Sequence, residues 1–458
     1  MDDALPQSHP SASRPSACPG LLRIAQALDG GICRIKLPGG QLSCDQAVAI
    51  TEAAEQCASG VIEATNRANL QIRGVRVEQE QALIDRLLEA GLGPRPADPA
   101  ATAAADDVSN LMLSPAAGID PAALLDTRPL AEKLLALLQN DSRLHRLSAK
   151  FALQLDGGEQ LAMLEHPHDL WLSAMGGADS LFAFGLAGCP PLTGSDEPAL
   201  AAVPLARVPA LVGAVLALFL ELAGPEQTRM RQLLVQLPAA DFLQQLQARL
   251  DFPLSCSAEL SAWRRPVPPA WQHLGIQAQL QPGLCHVGGL PPLGRLDSAM
   301  LRGLAQLARD KGDASLRLTP WQGLLLPNIR QADGPEVLQR LEDLGLTCRP
   351  DRPLARLIAC SGSSGCAKGL ADTKGDALRL ATLLPQGLPS TVHLSGCPRS
   401  CAAAHCAPHT LLAASAGRYD LYRSAPALPG FGQLLARHLS LEEASQRLAT
   451  LSALETHR

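Results

Sequence analysis

The chain has 458 residues, 47% of them hydrophobic and 18% charged, with a net charge of −5. That composition excludes wholesale disorder, because there is ample apolar surface to bury, and it excludes a global basic field for holding nucleic acid. At roughly 100–200 residues per domain the length calls for about three domains, and 38 glycines with 37 prolines predict a fold broken by many turns.

Residues 1–17 are polar and rich in Ser and Pro, with no apolar core segment. They read as a disordered tail and not as a signal peptide, so the expected compartment is the cytoplasm. Thirteen cysteines in that compartment are expected to be buried thiols or metal ligands, not disulfides. Three Pro-rich linkers follow: Leu92-Gly93-Pro94-Arg95-Pro96 running on to Asp107, Arg264 to Pro269, and Cys348 to Pro353. They separate four segments, 18–92, 107–262, 275–347 and 354–445. The longest charge-free apolar run near the middle, Val208 to Leu220, falls short of the roughly 20 residues a membrane span needs and is expected to be a buried helix.

The first and third segments repeat each other. Gly40-Gln41-Leu42-Ser43 opens a helix-like run that leads to the alternating stretch Val61 to Thr65. Gly294-Arg295-Leu296-Asp297 opens another that leads to Ser315 to Thr319, at a constant offset of 254 residues. Ser43 and Asp297 coincide as helix N-caps. Leu70, Ile72 and Val75 coincide with Leu324, Leu326 and Ile329. A gap-free match over about 36 positions predicts a duplicated module.

The fourth segment carries the clearest chemistry. Cys360 and Cys366 form C-x5-C, and Cys397 and Cys401 form C-x3-C thirty residues later. Both pairs sit among Gly, Ser and Pro, whose turns expose backbone N–H groups. Four thiolates on such turns suit a [4Fe–4S] cluster, with the amides hydrogen-bonding its sulfurs. A four-thiolate zinc site is the alternative, although x5 is a wide spacing for it. No G-x-G-x-x-G opens a helix after a strand, so no dinucleotide site is expected. If a nicotinamide cofactor such as NADH is the ultimate electron donor, a separate reductase would relay its electrons.

The paired cysteines resemble the cluster motif of the siroheme-containing sulfite and nitrite reductases. Two more stretches agree: Thr65-Asn66-Arg67-Ala68-Asn69-Leu70-Gln71-Ile72-Arg73 resembles that family's T-x-R-x-N-x-Q strand, and Leu147-Ser148-Ala149-Lys150-Phe151 resembles its L-P-R-K-F motif. The resemblance implies an α+β fold in which two ferredoxin-like half-modules alternate with two larger α/β iron–sulfur and tetrapyrrole-binding modules. It implies Cys360, Cys366, Cys397 and Cys401 as cluster ligands, with Cys401 also the bridge to a siroheme iron. Two positions depart from the family: Ser109 stands where an Arg is expected and Ala152 where a second Lys is expected. Those cations hold sulfite or nitrite, and without them the site loses much of its field for such anions.

A narrower likeness lies at the start of the chain. Cys18-Pro19-Gly20-Leu21, Asp29 to Gly40, and Thr319-Pro320-Trp321-Gln322 are similar to stretches of the precorrin-3B synthases, the cobalamin-pathway branch of the family. That likeness implies an aerobic monooxygenase that hydroxylates C20 of precorrin-3A with O2 and closes a γ-lactone. It also implies a [4Fe–4S] cluster and a non-haem iron, with siroheme left open. Arg67, Arg73 and Lys150 would then clamp the tetrapyrrole's carboxylates, the arginines in bidentate fashion. His393, His405 and His409 are the candidate iron ligands. The rival readings are a siroheme-dependent sulfite or nitrite reductase with a weakened anion site, and a non-catalytic module built on a four-thiolate metal site. Neither nucleic acid nor membrane is expected as a partner.

Overall fold

A three-residue strand, Gln41–Ser43, leaves its own half of the molecule and pairs antiparallel with Ser315–Leu318 of the other half. Its counterpart Arg295–Leu296 makes the reciprocal crossing and pairs with Val61–Ala64. Two five-stranded sheets result, each completed by a strand from the partner repeat. The computed structural model describes residues 18–177, 180–388, 390–425 and 428–456; the expected N-terminal tail, 1–17, lies outside the described residues.

The 254-residue offset holds through this pair. Helices Cys44–Cys57 and Ser298–Lys311 correspond end to end, as do strands Gly30–Ile35 and Leu284–Gly289 and helices Glu80–Glu89 and Gly334–Asp343. Both central helices begin on the expected caps: Ser43 accepts the amide of Gln46, and Asp297 accepts that of Met300. Each satisfies a donor that the first helical turn leaves without an intrahelical partner. The two helices pack on each other, burying Ala47, Ile50 and Ala54 of one and Leu301, Leu304 and Ala308 of the other in a shared core. Gly40, at φ +67°, makes the strand crossing sterically feasible. A Cβ there would lie 2.0 Å from the Leu318 carbonyl oxygen.

The larger modules repeat a second pattern. In one, strands Leu111–Leu113, Leu153–Asp156 and His168–Ala174 run parallel, and Leu181–Gly188 and Ala201–Pro204 continue antiparallel. In the other, Leu357–Ala359, Val392–Ser395 and His409–Ser415 run parallel, followed antiparallel by Arg418–Arg423 and Gln433–Leu439. The architecture is therefore the expected alternation of half-modules and α/β modules. By length and composition Leu205–Leu222 could cross a membrane. Its helix instead buries Val208, Leu211, Val212, Val215, Leu216, Leu218 and Phe219 in the core of the first α/β module.

Candidate functional site

Ligand sites of parallel sheets form beyond the carboxyl ends of strands, and both cysteine pairs are there. Cys360 follows Leu357–Ala359, and Cys397 comes two residues after Val392–Ser395. The amide of Gly396 donates to Cys360 Sγ at 3.2 Å, and the Thr373 hydroxyl donates to the Cys360 carbonyl at 2.7 Å. The loops interlock through glycine. A Cβ on Gly369 would stand 2.4 Å from the Gly362 backbone, and Gly362 itself is at φ +61°. Burial, then the charges of Cys397, Cys360 and Cys366, push the Cys401 thiol above its usual range. The four sulfurs thus share one electrostatic neighbourhood.

Among the described residues no three His, Cys, Asp or Glu side chains are close enough around one point to hold a single metal ion. A zinc ion would need all four thiolates on itself, whereas a cubane takes one thiolate at each iron, so its ligands stand apart. The mutual charges of the four sulfurs and the amide on Cys360 fit a cluster. The candidate histidines His393, His405 and His409 lie on different elements, and among the described residues no group of three such side chains stands ready for a metal. His393 is wholly buried, His405 points toward Glu165 at 3.5 Å, and His409 starts a core strand.

The first α/β module repeats the strand pattern without the thiols. The loops after its first two parallel strands carry Ser114 to Asp120 and Gly157 to Leu161. Here Arg265 bridges Asp156 at 2.7 and 3.0 Å and reaches the Glu159 carbonyl. Burial and the Asp156 charge lift the Glu159 carboxyl to about 8.

Half-module one reaches into the cluster loops. Asn66 Nδ2 donates to the carbonyls of Cys401 and Ala402 at 3.4 and 3.2 Å. Lys374, from the cluster module, pairs with Glu63 at 3.3 Å and donates to the Leu293 carbonyl. Arg73 departs from its expected role. Its guanidinium is buried, pairs with Asp29 at 2.8 Å through two nitrogens and donates to the Gly365 carbonyl. With those partners engaged it is a strut for the Cys366 loop, not a clamp for a ligand.

Arg67 is different. It lines a narrow cleft with Lys36, Asn69, Ser109, Ala152 and His168. Among the described residues its side chain makes no hydrogen bond or ion pair. Burial, then the charges of Arg229 and Arg34, lowers its pKa. Lys36 donates to the carbonyls of Asp106 and Asp107, and burial draws it down to about 8. Ser109 and Ala152 do line this cleft, but Ser109 Oγ is committed to the Ala105 carbonyl and to Gln139. Lys150 is exposed and does not line the cleft. Sequence reasoning missed Lys36 and His168 as cleft residues. The alternation by which Cys33, Ile35 and Leu37 are buried and Lys36 faces the other side was the one available signal for Lys36.

A cavity of about 460 Å³ opens beside the residues that follow Cys401. It is lined by Ala402, Ala403, His166, His405, Trp271 and Trp321 among others. That volume is within the range of cofactor and substrate sites. Arg356 stacks over the Trp271 ring at 3.9 Å, and His273 stacks on Trp321 at 4.4 Å. Trp321 holds the place in its repeat that Arg67 holds in the other. Both turns close alike, with Ala68 at φ 56° and Gln322 at φ 61°.

These features define the class. A family model described as nitrite and sulphite reductase 4Fe–4S domain matches residues 104–254, and one described as nitrite/sulfite reductase ferredoxin-like half domain matches 25–90 and 277–344. The chain belongs to the nitrite and sulfite reductase family. It is 31% identical over 395 residues to the chloroplastic ferredoxin–nitrite reductase of Zea mays, covering 80% of this chain and 67% of that one. To the ferredoxin–nitrite reductase of Synechococcus elongatus it is 30% identical, covering 81% and 73%. To a precorrin-3B synthase of Sinorhizobium sp it is 28% identical over 439 residues, covering 93% and 88%. The Mycobacterium tuberculosis NirA protein shares its fold, with a TM-score of 0.73 at 23% identity over 92% of this chain and 79% of that one. Residues 104–254 contain only Cys189, so the cysteine clusters belong to the second α/β module.

Proposed function

We propose that this chain is an O2-dependent monooxygenase of cobalamin biosynthesis, a precorrin-3B synthase. It would hydroxylate C20 of precorrin-3A with one oxygen atom and close a γ-lactone from a ring acetate, while the second oxygen atom leaves as water. The observation that carries this reading is the cleft in which Ser109 and Ala152 replace the cations expected of an anion reductase. A likeness running along 93% of this chain and 88% of the Sinorhizobium precorrin-3B synthase supports it.

Cys360, Cys366, Cys397 and Cys401 would hold the [4Fe–4S] cluster, which when bound supplies electrons one at a time. The Gly396 amide that donates to Cys360 Sγ would hydrogen-bond that coordinating sulfur. Arg67 would bind an acidic substituent of the macrocycle, and its lack of another partner leaves its fork open for that contact. Asn66 would keep the Cys401 loop in register with the Arg67 turn. Electrons would come from NADH through a separate reductase.

Sirohaem-dependent nitrite or sulfite reduction is the second reading. It is favoured by Lys36 and Arg67 in the cleft and by the higher identity to the nitrite reductases. One assay separates the two. Precorrin-3A under ¹⁸O-labelled O2 is expected to acquire one labelled atom, while sulfite and nitrite under argon are consumed slowly. Brisk sulfite or nitrite reduction without label in the macrocycle would select the second reading.

A further inference from the structure

The helix Thr373–Leu383 starts against the C-x5-C loop, and its first residue touches Cys360 at two points. Thr373 is wholly buried. Its hydroxyl donates to the Cys360 carbonyl at 2.7 Å and stands 3.5 Å from Cys360 Sγ. The Gly396 amide reaches the same sulfur at 3.2 Å from the other cysteine loop. Among the described residues, Cys360 is the one of the four cysteines whose sulfur has such contacts.

The fold holds the Thr373 hydroxyl in that place. Gly362 leaves it room: a Cβ there would stand 2.7 Å from Thr373 Oγ1 and 2.6 Å from its backbone nitrogen. Asp372 caps the helix by accepting the Gly375 amide, and the Ser364 hydroxyl of the cysteine loop donates to the same carboxylate oxygen at 3.4 Å. One turn on, Asp376 accepts the phenol of the buried Tyr419 at 2.7 Å, which ties the helix to the sheet.

A hydroxyl has one proton and cannot serve two acceptors at once. A cysteine sulfur that ligates iron carries no proton, so it can only accept. The carbonyl is the nearer acceptor. One electron delivered by the donor reductase adds negative charge to the cysteine sulfurs and makes Cys360 Sγ the better acceptor. The hydroxyl then needs only to rotate about its Cβ–Oγ bond; its proton stays on oxygen and no covalent bond is made or broken. Hydrogen bonds to the sulfurs are among the terms that set a cluster's potential. We propose that Thr373 is a positioning residue for electron transfer: its hydroxyl holds Cys360 in place and, by donating to Cys360 Sγ in the reduced state, raises the reduction potential. The proposal rests on the cluster reading above and is the same for either substrate.

Redox titration of the full chain, followed by the EPR signal of the reduced cluster, tests this, with iron and acid-labile sulfide quantified in every preparation. Thr373→Val, which keeps the shape and removes the hydroxyl, is expected to retain the cluster and to lower its potential. The ratio of reduced to oxidised cluster at a fixed potential should fall about tenfold, a shift of about 59 mV for one electron. Thr373→Ser is expected to restore the wild-type potential. Thr410→Val is the control, because Thr410 is buried in the same module and its hydroxyl has no partner; it should titrate as the wild type does. An unchanged potential in Thr373→Val, an equal shift in Thr410→Val, or a Thr373→Ser variant shifted as far as Thr373→Val would overturn the proposal and leave the cluster reading standing. If Thr373→Val sheds its cluster, Thr373→Ala is read in its place with the same expectation, and loss from both would make Thr373 a support of the loop and overturn the tuning role. A wild type without iron and sulfide would overturn the cluster reading itself.

Discussion

Arg73 and Gly365 tie the first half-module to the loop that carries Cys366: the buried guanidinium donates to the Gly365 carbonyl at 3.2 Å while two of its nitrogens hold Asp29. Gly365 is part of the contact, because a Cβ there would lie 2.7 Å from the Arg73 nitrogen. Arg73 also stands 3.7 Å from the buried Glu63 carboxylate, so Arg73→Ala would leave Glu63 with only Lys374 and Arg295, and would leave the loop untethered. Removing one member of a buried ion pair costs about 3–5 kcal/mol. The expected outcome in denaturant unfolding is a loss of that order, with cluster content falling in parallel. Wild-type stability and a changed affinity for the macrocycle would return Arg73 to a substrate-binding role.

Cys360→Ala, Cys366→Ala, Cys397→Ala and Cys401→Ala are each expected to abolish the broad charge-transfer absorption and the EPR signal of the reduced cluster. Cys256→Ala is the control, since Cys256 is exposed and lies outside the cysteine-rich loops. Full iron and acid-labile sulfide in any of the four variants would exclude that residue as a ligand.

Much of this was legible in the chain because it is local. The repeat could be read by counting, since caps, alternation and glycines recur at one offset. The cysteine pairs could be read because thiolate ligands cluster on short loops. The strand exchange could not: Gln41–Ser43 and Arg295–Leu296 are too short to show alternation, and their partners are hundreds of residues away. Arg73 read as a ligand cation because its partners, Asp29 and Gly365, lie 44 and 292 residues off. The contact of His166 with His405 was invisible for the same reason. The two rings become neighbours only when the two α/β modules face each other.

Glu159 gives a pH prediction with a definite sign. Its folded carboxyl is raised to about 8, above the ordinary carboxylate range. A carboxyl raised on folding favours the folded state while protonated, and that stability is lost as pH rises from about 4.5 toward 8. Glu159→Gln keeps an acceptor for the Gly157 amide, which Glu159 Oε2 now receives at 2.8 Å, and removes the ionisation. It is expected to be more stable than the wild type at pH 8, by up to about 4 kcal/mol, and to differ little at pH 4.5. Melting curves at the two pH values check this; a variant less stable at pH 8 would show that the ionised carboxylate is tied to Arg265.

Introducing the two cations that the family resemblance leads one to expect at Ser109 and Ala152 tests the proposed choice of substrate. Ser109 and Ala152 line the cleft with Arg67 and Lys36, and neither carries charge toward it. A charged contact made to the developing charge in a transition state is commonly worth roughly 10²–10³-fold in rate. Ser109→Arg with Ala152→Lys should therefore raise sulfite or nitrite reduction well above the wild-type level. The gain will be tempered because Ala152 is buried and Ser109 Oγ caps a helix through the Ala105 carbonyl. The same pair should weaken macrocycle binding, because two long side chains would fill space the uncharged residues leave open. Arg67→Ala should weaken it as well, while Lys150→Ala, at an exposed position away from the cleft, should not. Steady-state reduction of sulfite and nitrite with a chemical electron donor, alongside tetrapyrrole titrations of the same preparations, measures both arms. A wild type already as fast as the double variant would mean that Lys36 and Arg67 suffice for the anion, and that the two substitutions do not set the substrate.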